Sequence, residues 1–503
     1  MGRVLAVCLS LGTVAVLACP GAGAQTSGAQ GGSTGNSASG ASSSGNLNAI
    51  AQIQQQLSQP GPSITPSGAS ENFRGSLVEG KATAGVLPLT LDEAIRRGLR
   101  NNLGIVLQNT NITSANAERL RELQDLLPTV TAGASITVQQ VNLAAYGLKI
   151  GGFPSIVGPF QVEDFRAYLQ QSVVNLQSIR NYAASKHNFH AAQLSAQDAQ
   201  GMVVLTVGNA YLLCVADGAR IAAVRAQLAS SKLSLDQATA NHEAGTSPRL
   251  DVLRAQVDYQ NQQQNLISTQ NQFEKDKISL ARVIGLPLEQ GFTLADTVPY
   301  AALDTPVAEA AFEQALKTRK DLAADAERVQ AARLAEKAAF EEQLPALSVS
   351  GDYGDLGDTV GHSHGTFTAT GQITAPILQL AKTHGDEQAA AAQREQAQAT
   401  LANDTQQVNA DIRDAILDIQ SAAKLVQAAQ SNVELADEAV KESQERFRAG
   451  IADNLPVTQA LATDQQANDQ YIAALYQHNV AKLELARAVG RATTNYKDYL
   501  GGK

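Results

Sequence analysis

The chain has 503 residues, a formal net charge of −10, no tryptophan and only 4% aromatic residues. That charge excludes non-specific nucleic-acid binding, and the scarcity of large aromatic side chains excludes a thick globular core. Abundant Ala, Gln and Leu suit long helices packed in thin layers.

Arg3, the apolar stretch Val4–Leu17 and the small-residue site Ala22-Gly23-Ala24 mark residues 1–24 as a secretion signal. Cys19, preceded by Val16-Leu17-Ala18, is a competing candidate for lipidation, although Leu17 and Pro20 fit that motif poorly. No later run of about 18 consecutive apolar residues predicts a membrane-crossing helix. Residues 25–86 are Gly, Ser, Ala, Gln and Asn with scattered prolines, the composition of a flexible tether.

Thr90 is a fitting N-cap, with Asp92 and Glu93 where a helix dipole favours carboxylates. Ala94, Ile95, Leu99, Leu103 and Leu107 then recur at helical spacing, predicting one helix to Leu127 that Pro128 stops. From Thr129 to Gln139 the period changes to two. Val130, Ala132, Ala134, Ile136 and Val138 alternate with small polar residues over the length of a tilted membrane-crossing strand. A Gly- and Pro-containing loop, 147–160, precedes a less regular partner strand around Phe165–Leu176. Long helices follow at about 178–243 and, after the glycine turn, at 249–284. Cys214 falls in an apolar helical stripe as a small core residue.

The plan is then repeated. Ala94, Leu99 and Leu127-Pro128 recur at Ala311, Leu316 and Leu344-Pro345. HEAGTSPRL at 242–250 and LARVIG at 280–285 recur as FRAGIADNL at 447–455 and LARAVG at 485–490. The second hairpin alternates Leu347, Val349, Gly351 and Tyr353, loops through Gly354–Gly365, and returns with Phe367, Ala369, Gly371 and Ile373. The second long helix, about 380–449, carries a coiled-coil seam at Ile412, Ile416, Ile419, Ala423 and Val426. At about 1.5 Å per residue each long helix spans roughly 100 Å, so two short helices stack end to end beside it. The organisation is a first repeat over 87–290 with its hairpin at about 129–176, a linker at 291–303, a second repeat over 304–491 with its hairpin at about 346–376, and a tail at 492–503. Four strands cannot stand alone in lipid with open edges, so closure requires several copies. Three copies, giving twelve strands, would leave a passage.

The motifs LTLDEAI at 89–95, Leu-Pro before each first strand, FRAG at 447–450 and the closing LARVIG and LARAVG are similar to those of TolC-like outer-membrane efflux proteins. The resemblance covers about Leu89 to Arg491. It implies an α+β membrane protein: a homotrimer with a twelve-stranded β-barrel in the outer membrane, continued by a periplasmic α-helical tube. It implies a passive channel for drugs, other small molecules, metals or proteins, working with a membrane-fusion adaptor and an inner-membrane transporter. Ala244, Gly245 and Thr246, with Ala449, Gly450 and Ile451, match the tip turns where an adaptor docks in that family. The family's Asp-Val-Leu after the turn is present as Asp251-Val252-Leu253. The second copy departs as Pro456-Val457-Thr458, with Asp453 three residues earlier, so Asp251 and Asp453 are the candidate pore-constriction carboxylates. The same glycines also serve simply to reverse the chain.

No catalytic constellation or cofactor motif stands out. His362 and His364 lie in a Gly- and Asp-rich loop, and His187 and His190 are helix-spaced without a Cys or carboxylate cluster, which does not make a metal site. The alternative to a channel is a periplasmic coiled-coil adaptor or scaffold, but adaptors carry a lipoyl-like β domain that this sequence lacks.

Overall fold

Thr90 caps the first helix as its spacing predicts: its hydroxyl accepts from the Glu93 amide at 3.2 Å, opening α1 (Leu91–Asn101). The computed structural model describes residues 71–83, 85–148, 151–152, 154–296, 300–303 and 305–500, all within one compact unit, Ser67–Lys503. The signal over 1–24, Cys19 and most of the tether lie outside the described residues.

The expected single helix over 91–127 is two helices. At Asn102 the backbone turns extended (φ −63, ψ 132) and its side chain accepts from the Gly104 amide at 2.9 Å, which starts α2 (Leu103–Gln124). Asparagine competes with helical hydrogen bonding in this way, and the apolar periodicity running through it conceals the break. The second copy breaks at the equivalent Arg319 (φ −66, ψ 122), between α5 (Ala308–Thr318) and α6 (Lys320–Glu341). There the cause is tertiary. The buried Arg319 guanidinium donates to the Arg487 and Ala488 carbonyls at 3.5 and 3.4 Å and pairs with Asp321.

The long helices are α3 (Leu176–Glu243, 68 residues) and α7 (Leu380–Arg448, 69 residues), each about 100 Å long. Their short companions are α4 (Arg249–Ile284) and α8 (Leu455–Ala488). α3 packs on α2, α4, α6 and α8, and α7 on α6 and α8. In the α7 seam Ile412, Ile416, Ile419 and Val426 are buried as expected. α3 contains a stretch whose mean hydropathy reaches that of a membrane span, although it holds no unbroken apolar run of that length. It is instead the main core, where Val203, Val207, Tyr211 and Cys214 pack with Leu89, Ile95, Leu280 and Ile284.

Around that core the structure corrects three boundary expectations. The segment 291–303 is more than a linker, because β4 (Phe292–Leu294) pairs in parallel with β1 (Leu87–Leu89). Three-residue strands carry too little alternation to be read from sequence. Residues 492–503 are more than a tail: α9 (Ala492–Leu500) buries Ala492 and Leu500, and Tyr496 and Lys497 bond Asp92. The tether ends before Glu71, where a 3-10 turn (Glu71–Arg74) sets Phe73 against the core. The Leu77 amide then donates to the Asn101 carbonyl at 2.8 Å.

The second sheet is antiparallel in the order β2 (Thr129–Asn142), β3 (Ile156–Val174), β5 (Ala346–Gly357), β6 (His364–Thr374). Its strands are longer than expected. β3 begins at Ile156 rather than Phe165; the ladder shifts register between Gln139 and Val141, opposite Pro159, which has no N–H to pair, and this breaks the alternation there. β5 runs through Gly354 to Gly357, which shortens the expected loop 354–365.

Candidate functional site: a two-faced sheet and paired helical turns

Pairing places Val130, Ala132 and Ala134 of β2 on one face with Leu169, Ala167 and Phe165 of β3. The same face continues through Gly351 and Tyr353 of β5 to Ala369, Phe367 and Ile373 of β6. Ile136 and Phe367 are 63% and 77% exposed on it. An apolar sheet face left this open to solvent requires a non-aqueous cover. The opposite face carries Thr131, Thr366, Thr368, Thr370 and Ser350 around a charged centre. Arg166 donates to Asp164 at 3.1 Å and to Thr366 at 3.0 Å, and pairs with Asp352 on the next strand. Asp164 and Arg166, two apart on one strand face, are the local sign of this centre, and Asp164 lies just outside the strand expected from Phe165.

At the far end of the helices the two turns are near copies. The Gly245 amide donates to the His242 carbonyl at 2.9 Å and the Thr246 amide to Asn241 at 2.9 Å. The Gly450 amide donates to Phe447 at 3.1 Å and Ile451 to Arg446 at 3.0 Å. Both turns are Schellman closures, with the glycine left-handed at φ +71 and φ +67. A small core of Ala238, Ala255, Phe447, Val457 and Leu461 joins the two hairpins behind them, and the Ser234 hydroxyl donates to Asn454 at 3.0 Å. Ala244, Gly245, Thr246, Ala449, Gly450 and Ile451 are all exposed, Ile451 by 71%.

Asp251 and Asp453 come together around a residue that sequence reading missed. Arg254, one turn after Asp251, puts Nη1 at 3.7 Å from Asp251 and 3.9 Å from Asp453. Asp251 is buried with Oδ2 unpartnered, whereas Asp453 is exposed. His362 faces Asp358 at 3.6 Å in an exposed turn, and His364 opens β6.

The duplicated helices match, over residues 94–286 and 311–491, the model of the outer membrane efflux protein family. The chain belongs to that family. It is 24% identical over 408 residues to the pyoverdine export outer membrane protein OpmQ of Pseudomonas putida, covering 80% of this chain and 85% of that one. Its fold is that of solved outer membrane channels. It superposes on Campylobacter jejuni CmeC with a TM-score of 0.72 at 17% identity, over 88% of this chain and 98% of CmeC. It superposes on Vibrio cholerae VceC with a TM-score of 0.70 at 17% identity, over 80% and 96%. As an outer membrane efflux protein it is the outer-membrane channel component of an efflux system, with a large periplasmic portion. The matches are to channel and export proteins, and the adaptor or scaffold alternative is not favoured.

Proposed function

We propose that three copies of this chain close into one passive export channel, a twelve-stranded barrel above a helical tube. The observation that carries this is a sheet with one apolar face and two unpaired edges, β2 and β6. Unpaired backbone groups are prohibitive in lipid, so β2 of one copy takes β6 of the next. The polar face with Arg166, Asp164 and Asp352 then lines the lumen. Four strands per copy make twelve with three copies, wide enough to leave a passage.

The tip turns at Ala244–Thr246 and Ala449–Ile451 dock a periplasmic adaptor, which connects the tube to an energised inner-membrane transporter. Exposed apolar Ile451 beside two rigid glycine turns supports this reading. Asp251 and Asp453 form the constriction, partly neutralised by Arg254. The test is native mass spectrometry of the purified protein, followed by cross-linking to an adaptor from a cysteine placed at Thr246. Three chains per particle, and adaptor cross-links that Ile451→Arg abolishes without changing that mass, are expected. A monomer, or cross-links unaffected by Ile451→Arg, would refute it.

A further inference from the structure

The break between the two short helices of each repeat is handled differently in the two copies. In the first, an extended segment of the same chain lies across it. Ser76 bridges Asn102 in antiparallel fashion, the Leu103 amide donates to the Gly75 carbonyl at 2.9 Å, and the Leu77 amide donates to Asn101 at 2.8 Å. The Glu79 amide donates to Gly285 at 3.1 Å, while the Glu79 carboxylate pairs with Arg100 at 3.5 Å. The fit is close: a Cβ on Gly285 would stand 2.4 Å from the Leu77 carbonyl oxygen.

The repeat maps Arg100, Asn101 and Leu103 onto Lys317, Thr318 and Lys320, and Gly285 onto Gly490. All four of these second-copy residues line a single cleft of about 410 Å³. Its remaining walls include Arg491, Arg487 and the helix α3 around Asp198. Among the described residues the Lys320 amide has no hydrogen-bond partner, and Lys317, Lys320 and Arg491 have no ion-pair partner. Asp198 is already engaged by Arg487 at 2.9 Å.

We infer that this second joint is a docking site for an extended, acidic segment of a partner protein, which pairs its backbone with Lys320 and Thr318 and sets a carboxylate on Lys317. Arg100 and Gly285, which hold Glu79 in the first copy, recur here as Lys317 and Gly490, and the backbone at Asn101 and Leu103 recurs at Thr318 and Lys320, whereas Arg319 in place of Asn102 turns onto the Arg487 and Ala488 carbonyls. An exposed backbone edge selects an extended chain, and the lysines and Arg491 select negative charge.

The probe is a fluorescein-labelled, end-blocked peptide of residues 75–80, GSLVEG, whose one charged side chain is Glu79, titrated into the full-length protein in detergent and read by anisotropy. Lys320→Pro is the informative variant. Proline fits a first helical position, and the extended Arg319 before it suits a pre-proline residue, so the fold is kept while the amide donor is removed. Saturable binding is expected. It should weaken about tenfold or more for Lys317→Glu and for Lys320→Pro, less for Lys320→Ala, and for a peptide with Gln in place of Glu. Arg100→Glu, at the occupied first joint, should leave it unchanged. No saturable binding, equal affinity for Lys320→Pro and Lys320→Ala, loss with Arg100→Glu instead of Lys317→Glu, or displacement by millimolar inorganic phosphate alone would each overturn the inference.

Discussion

Gly245 and Gly450 hold the left-handed backbone that closes each tip turn, and a β-branched side chain there is strained by about 1–2 kcal/mol. Gly450→Val should therefore lower the melting temperature of the helical region, whereas Ala449→Val, at an ordinary helical residue, should not. Circular dichroism melts of the two variants make the comparison. A second residue-scale expectation concerns Asp217, buried on α3 beside Asp276. Burial, then the Asp276 carboxyl, pushes its pKa up to about 7, against the opposing pull of Arg220 at 3.1 Å, which also reaches Asp469. The Asp217 carboxyl therefore holds its proton in the folded chain below about pH 7. The folded chain keeps that proton over a range in which the unfolded chain has released it. Its contribution is therefore fully present at low pH and is lost as pH rises from the ordinary carboxylate range through about 7. Asp464, raised to about 6 by burial and by Asp437, acts in the same direction. Denaturant midpoints measured from pH 5 to 8 should fall with rising pH, and Asp217→Asn should flatten part of that slope.

At the scale of elements, the sequence made periodicity legible and concealed its interruptions. The strands, the seam at Ile412–Val426 and the glycine turns follow from residue spacing, because each puts a repeating chemical type on one face. The helix breaks do not. Asn102 and Arg319 sit inside unbroken apolar patterns, and the Arg319 break depends on carbonyls of α8 far away in the chain. Arg254 was illegible for a similar reason, since its link to Asp453 joins two repeats. Arg319→Ala should cost about 3 kcal/mol, because it strips Asp321 of its partner and frees the closing carbonyls of α8. Lys320→Ala, at an exposed position next to it, should cost little in the same unfolding titration. In the sheet, Ile136→Arg puts a charge on the apolar face and should cost about 2–4 kcal/mol near the bilayer centre, while Thr137→Arg on the polar face should be tolerated. Heat-modifiable migration of the outer-membrane fraction reads this out. Equal assembly of the two variants would contradict the face assignment.

The whole molecule is where sequence and single-chain structure meet their shared boundary. Duplication, element lengths and the family motifs were sufficient to place this chain among outer membrane efflux channels. The short β1–β4 pair, the docked segment Glu71–Glu79 and α9 were not, since they are held by contacts rather than by pattern. In the proposed trimer, copies join by their open strands to enclose a passage, which neither repeat does alone. Single-channel recording from purified protein in a planar lipid bilayer tests it most directly. Discrete, long-lived conductance steps that favour cations are expected, with selectivity lowered by Asp251→Asn with Asp453→Asn and raised by Arg254→Gln. Protein that inserts without conductance steps, or remains soluble and leaves the bilayer silent, would contradict the channel.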